Sequence, residues 1–183
     1  MACLRPKSQR DLLRNTFLGD SRLYEGRFCG KPPSMARIDF YHLQQARLED
    51  ALPRLLERTL HAQKRALVVA GSEDRVEDLA MALWSERDTW VPHGSKRDGY
   101  VDEQPIWLTE QPDENPNGAT YLFLCDGADS PLVGQMERTF DLFDGHDPDR
   151  VQAARQRWKA HRAAGHELHY WQQSDRGAWQ KKA

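Results

Sequence analysis

The chain is poor in the features that mark most functional classes. Among its 183 residues are only three cysteines, Cys3, Cys29 and Cys125, at unrelated spacings. Such thiols give neither a disulfide framework nor a zinc pattern, and the expected compartment is the reducing cytosol (cytoplasmic). No apolar run approaches the ~18 residues of a membrane span. The opening MACLRPKSQRDLLRN has no apolar stretch, so a secretory signal is not expected. Glycine is missing where a phosphate would need it. The first strand runs into QQARLED, with none, and the second into GSEDRVED, with one glycine and four early carboxylates. Phosphate needs a glycine-rich turn with backbone N–H groups aimed at it. No G-x-x-x-x-G-K-[ST] segment is present either. A nucleotide cofactor is therefore not expected, and none of any other kind is indicated.

Catalytic and metal signals are equally thin. Of seven histidines, His161, His166 and His169 lie closest together, but their spacing straddles a helix end and they are not expected to share a face. His42 and His93 stand alone, and Ser72 and Ser85 have no nucleophile pattern around them. Asp126 follows a strand end, a position where α/β enzymes place catalytic groups, but an Asp-Gly turn explains it equally. A small enzyme with its site at these strand ends is one hypothesis.

Charge, by contrast, is abundant and uneven. Residues 1–34 carry a net +4, residues 35–146 a net −10 and residues 147–183 a net +4. An acidic body repels a nucleic-acid backbone at long range, and a basic patch on it suits a short acidic partner. A direct single-stranded nucleic-acid-binding module is the alternative.

Periodicity gives the organisation. Residues 1–34 show no sustained period and end in CGKPPS, which reads as a poorly ordered extension. Alternatively translation starts at Met35. From there ARIDFYHL alternates as a strand, and LEDALPRLLERTLHAQK has leucines at helical spacing. Pro53 is best tolerated in a first turn, which sets the helix start near Asp50. RALVVAG reads as a buried strand, and Ser72 caps a helix with an acidic first turn and Val76, Leu79, Ala80 and Leu83 inward. PIWLT, TYLFLCDG and ERTFDLFDG are further strands, separated by polar loops. Asp147 caps a helix with Pro148 at its first position, Gly165 ends it, and HELHYWQQ closes as a strand. The order β-α-β-α-β-β-β-α-β predicts a three-layer α/β/α domain of Rossmann-like type with a mostly parallel sheet. The domain is expected over 35–173, with a tail over 174–183.

Two surface features stand out. The helix after Asp147 carries five basic residues and no acidic one from Arg150 to Arg162. Ala153, Ala160 and Ala164 share one side, and Arg155, Trp158 and Arg162, with Lys159 beside them, share another. Small alanines favour close packing on a sheet, which places Trp158 outward as an apolar platform among cations. Val151, Ala154 and Trp158 form the competing inner stripe. An outward Trp158 suits an acidic peptide or a stacked base. The second feature is ALWSERDTWVPHG, whose Trp84 and Trp90 are either tucked beneath the loop or serve as interface anchors.

The segments FYHL, KRALVVAG, ALWSERDTWVPHG and ARQRWKAHRAAGHEL, in this order and at these distances, resemble the chi subunit of bacterial DNA polymerase III. The likeness runs from Met35 to about Trp171. It implies a non-enzymatic adaptor in the clamp loader, accessory to a DNA-directed DNA polymerase holoenzyme, on a Rossmann-like fold without nucleotide. It also implies two partners: the acidic, phenylalanine-ended tail of single-stranded-DNA-binding protein, and the psi subunit. Carried over by position, Arg155, Trp158, Lys159 and Arg162 would hold the tail, and Trp84, Trp90, Val91, Pro92 and His93 would face psi. Trp158 stands where the family usually has tyrosine, and His161 where an aromatic is frequent. The loop DGHDPD ahead of the helix is more acidic than an anion-binding neighbour suggests.

Overall fold

A computed structural model describes residues 35–174 and 177–183. The reading of residues 1–34 as an extension lies outside the described residues.

The chain enters through β1 (Arg37–Leu43), which becomes a central strand. Helix α1 (Leu48–His61) follows, then β2 (Ala66–Val69) and α2 (Glu73–Ser85). A two-residue strand β3 (Gly94–Ser95), β4 (Ile106–Thr109), β5 (Tyr121–Cys125) and β6 (Arg138–Asp144) come next. Helix α3 (Pro148–Ala163), β7 (Glu167–Gln173) and β8 (Trp179–Lys181) complete the domain. The eight strands lie in the order β3-β4-β2-β5-β6-β1-β7-β8. All neighbours are parallel except β7 and β8, which pair antiparallel. The mostly parallel α/β sheet is the one expected. Two strands were not: β3 is too short to show a period, and β8 forms within the segment read as a tail.

Side chains alternate across the sheet. Tyr41, Val68, Phe123, Phe140 and Leu142 join the α1 and α2 leucines on one face. Phe40, Leu67, Leu122, Leu124 and Phe143 face the other, with Ala154 of α3 and the segment around Leu132 and Val133. The strands β2, β4 and β5 are buried on both faces, which is why they read as continuous apolar runs.

Local chemistry sets the helix ends. The Ser72 hydroxyl accepts from the Arg75 N–H at 3.2 Å and starts α2. The Asp147 carboxylate accepts from the Asp149 and Arg150 N–H groups and starts α3, with Pro148 first. Gly165, at φ +82°, takes the left-handed turn that ends α3. Helix α1 starts at Leu48, two residues before the expected Asp50. There the Asp50 carboxylate accepts from the Arg47 N–H and closes the first turn, so Pro53 falls one turn inside the helix and is buried.

The turn between β1 and α1 is where a Rossmann-type domain would cradle a phosphate. Here the N–H groups of Gln44, Gln45 and Ala46 all donate to the side-chain oxygen of Gln173, at 3.1, 2.9 and 3.1 Å. A neutral amide from the end of β7 fills the position of an anion.

Candidate functional site

Helix α3 packs on the sheet face over β1, β6 and β7, against Phe40, Asp141 and Tyr170 at the middle of these strands, and its orientation differs from the one favoured by its alanines. Ala153, Ala160 and Ala164 are exposed. Val151, Ala154 and Trp158 face the sheet, so the competing stripe is the observed one. Trp158 is half-buried, its ring 5.1 Å from Phe40 and 6.3 Å from Tyr170, edge-on to both. The reason is Arg157. Its guanidinium forks onto Asp141 of β6 at 2.7 and 2.8 Å, and Asp141 is 1% exposed. Burial pushes the Asp141 carboxyl up from its usual range, and the Arg157 fork opposes that. A bidentate, charge-assisted pair fixes the helix rotation. The exposed alanines then serve helix propensity rather than packing.

This anchoring sorts the five cations of α3. Arg157 is committed to Asp141, and Arg150 is committed to Asp147 and the Asp126 carbonyl. Arg155, Lys159 and Arg162 are exposed and have no ion-pair partner among the described residues. At helical spacings of three and four they share one outward face.

Beneath that face lies a pocket of about 160 Å³ between α3 and the sheet, walled by Phe40, His42, Phe143, Ala154, Trp158 and Tyr170, with Arg155 at its rim. A cavity of roughly 150 Å³ holds one benzene ring. The His42 ring stacks on Phe143 at 5.1 Å and meets the Tyr170 hydroxyl at 2.5 Å. Burial, together with the nearby Arg155 charge, lowers the His42 pKa, so the ring is neutral at pH 7. The structure therefore brings Arg155 and Trp158 to one pocket and leaves Lys159 and Arg162 on the surface beside it. Phe40, His42, Phe143 and Tyr170 escaped the sequence reading, because they meet only through the pairing of β1 with β6 and β7.

The second surface is built from the end of α2 and the loop after it. Trp84 is 61% exposed and Trp90 78%. Pro92 is partly covered, whereas Val91 and His93 are buried at 3% and 4%. Val91 and His93 are thus corrected from surface to support. The His93 ring lies 4.7 Å from Trp84 and its Nδ1 meets the Val91 carbonyl at 2.8 Å, which props the tryptophan outward.

The other sequence candidates fall apart. Asp126 is bound to Arg75 at 2.6 Å, and Arg75 also holds Glu49 at 2.7 Å. The histidine cluster divides differently from expectation: His161 and His166 do meet, with ring centroids 5.7 Å apart, while His169 turns to Asp39. No metal-holding group of three or more His, Cys, Asp or Glu side chains occurs among the described residues. No described helix is long and apolar enough to cross a membrane.

Comparison with known proteins gives the lineage. Residues 35–169 match the family described as DNA polymerase III chi subunit, HolC. The chain belongs to the DNA polymerase III chi subunit family. A relative from Rickettsia prowazekii (strain Madrid E), named probable DNA polymerase III subunit chi, is 27% identical over 110 residues. That alignment covers 60% of this chain and 66% of the relative. The chi family match takes in α3 through Ala163, the pocket walls on β1 and β6, and both exposed tryptophans. It stops one residue short of Tyr170.

Proposed function

We propose that this protein is a non-catalytic adaptor of the DNA polymerase III clamp-loader assembly, joining the replicative polymerase to single-stranded-DNA-binding protein. The α3 pocket carries the reading. It offers an apolar space of about one phenyl ring, with Arg155 at the rim and Lys159 and Arg162 on the same face. An acidic tail ending in phenylalanine has the matching parts: a ring for the pocket, a terminal carboxylate for Arg155, and aspartates for the outer cations. Trp158 contributes as a wall and not as a platform. On the second surface, Trp84, Trp90 and Pro92 form the patch for a psi-type partner, with Val91 and His93 beneath it.

Arg155→Glu and Lys159→Glu test the tail site cleanly, because both side chains are exposed. Trp158→Ala does not, since it removes packing on Phe40. Titration calorimetry with a phenylalanine-ended aspartate-rich peptide should show each variant weakened by on the order of 1.5–3 kcal/mol. Wild-type affinity should fall as salt rises. Unchanged affinity in both variants refutes the site. A single-stranded oligonucleotide titrated in parallel addresses direct nucleic-acid binding, which the net −10 over residues 35–146 disfavours. Tight oligonucleotide binding at physiological salt would reverse the ranking.

A further inference from the structure

The sheet face opposite α3 is covered by α1 and α2 only over part of its width. Beyond α1, toward β7 and β8, a pocket of about 230 Å³ opens. Its walls include Tyr41, Trp171 and Trp179, and three arginines, Arg37, Arg58 and Arg138, surround it. The aromatic walls are ordered: Tyr41 is parallel to Trp171 at 5.9 Å and edge-on to Trp179 at 4.8 Å. Two of the arginines are held in place by the fully buried Asp39. Arg37 forks onto it at 3.0 and 3.1 Å, Arg138 meets it at 2.6 Å, and the Trp171 indole N–H donates to it at 2.7 Å. Arg58 is exposed on α1 and has no ion pair among the described residues.

The polar chemistry of this pocket is one-sided. Three guanidiniums carry many donors; Asp39 is buried and already takes up Arg37, Arg138 and Trp171, and the neighbouring carboxylate, Glu167, is paired with His169. The side-chain acceptors among its lining residues are the hydroxyls of Tyr41, Thr59 and Tyr121. Such a site selects an anion attached to a flat apolar group. The charge is local, because the rest of the body is acidic, and that disfavours a long polyanion. The chi family match ends at residue 169, so Trp171 and Trp179 lie beyond it.

We propose that the arginine–aromatic pocket formed by α1, β1, β6, β7 and β8 is a second docking site, for an aromatic side chain flanked by carboxylates within an acidic segment of a partner protein. The occupant's ring enters among Tyr41, Trp171 and Trp179, and its carboxylates reach Arg58 and the free edges of Arg37 and Arg138. The site is independent of the α3 pocket, from which the sheet separates it, and of the Trp84–Trp90 patch.

The test uses the whole chain, labelled with nitrogen-15, and the amidated peptide Asp-Glu-Phe-Glu-Asp as probe. Amidation removes the terminal carboxylate on which the α3 pocket depends. The indole N–H signals of Trp171 and Trp179 should shift saturably while that of Trp158 stays still. Half-saturation should rise roughly tenfold or more in Arg58→Glu, whose exposed side chain leaves the fold intact, and should rise with salt. The peptide with Gln and Asn in place of its acids should leave both signals unmoved. The proposal is overturned if neither indole responds, if the neutral peptide acts equally, or if Arg58→Glu binds as wild type. It is also overturned if an oligothymidylate moves the same signals at lower concentration, which would make the pocket a nucleic-acid site. Shifts that follow protein concentration alone would assign it to a second copy of the chain and overturn it too.

Discussion

Replacing Arg157 by alanine should damage stability far more than replacing Arg155, two residues away on the same basic helix. Asp141 is 1% exposed and the Arg157 side chain 13%, and two hydrogen bonds of 2.7 and 2.8 Å join them. Removing one partner of such a pair strands a buried charge, at a cost of about 3–5 kcal/mol. Arg155 is exposed and unpaired among the described residues, so its loss should stay within about 0.5 kcal/mol. For a chain of this size that predicts a Tm lower by roughly 6–20 °C in Arg157→Ala and nearly unchanged in Arg155→Ala. Urea unfolding at constant m gives the free energies directly. Replacing both partners, as Arg157→Met with Asp141→Leu, should recover most of the loss, because no charge is then left unpaired. The deficit of Arg157→Ala should also depend on pH. Burial already raises the Asp141 pKa, and losing the guanidinium raises it further. A carboxyl whose folded pKa exceeds its unfolded one loses stability as pH rises through the folded value, so the deficit is larger at pH 8 than at pH 5. A loss below about 1 kcal/mol in Arg157→Ala, or an equal loss in Arg155→Ala, would refute the division of the helix into anchoring and free cations.

Asp39 should make the protein sensitive to acid. Burial acts to raise its pKa, but the hydrogen bonds from Arg37 and Trp171 and the Arg138 charge outweigh burial and hold it below the usual carboxylate range. Its folded pKa lies below the unfolded value of about 3.9, so its contribution is complete above about pH 5 and is lost as pH falls through the folded pKa. Urea midpoints of wild type and Asp39→Asn should differ near neutrality and converge in acid; a constant difference would contradict this. Gln173→Ala should release the three amides it gathers, at a cost on the order of 2 kcal/mol. Hydrogen exchange at Gln44, Gln45 and Ala46 should accelerate ahead of the rest of α1, and unchanged protection there would show that the Gln173 oxygen does not hold the turn.

Most elements were legible because each carried a local signal. Ser72 and Asp147 announced their helices by capping chemistry, and the leucines of α1 announced their face by spacing. The rotation of α3 was not legible. Its inward side includes Arg157, a residue that any hydrophobic count sends to solvent, and the carboxylate that draws it inward sits on β6, remote in sequence. The α3 pocket was half-legible for a similar reason. Arg155 and Trp158 lie on one helix, but Phe40, Phe143 and Tyr170 reach them from three strands. The exposed tryptophans were visible as a pair, whereas their support by Val91 and His93 depends on how the loop folds over its own backbone.

The place of β1 in the sheet has a consequence for how the protein is made. The first strand of the domain to leave the ribosome has β6 and β7 as its neighbours, with Arg37 opposite Arg138 on one side and Glu167 on the other. Until those segments are synthesised, β1 can form neither ladder, while β2, β4 and β5 already have one another. The half-sheet holding the α3 pocket is therefore expected to assemble only after β6 and β7 have been synthesised. Its apolar strand must be kept soluble meanwhile, an interval in which nascent-chain chaperones would act.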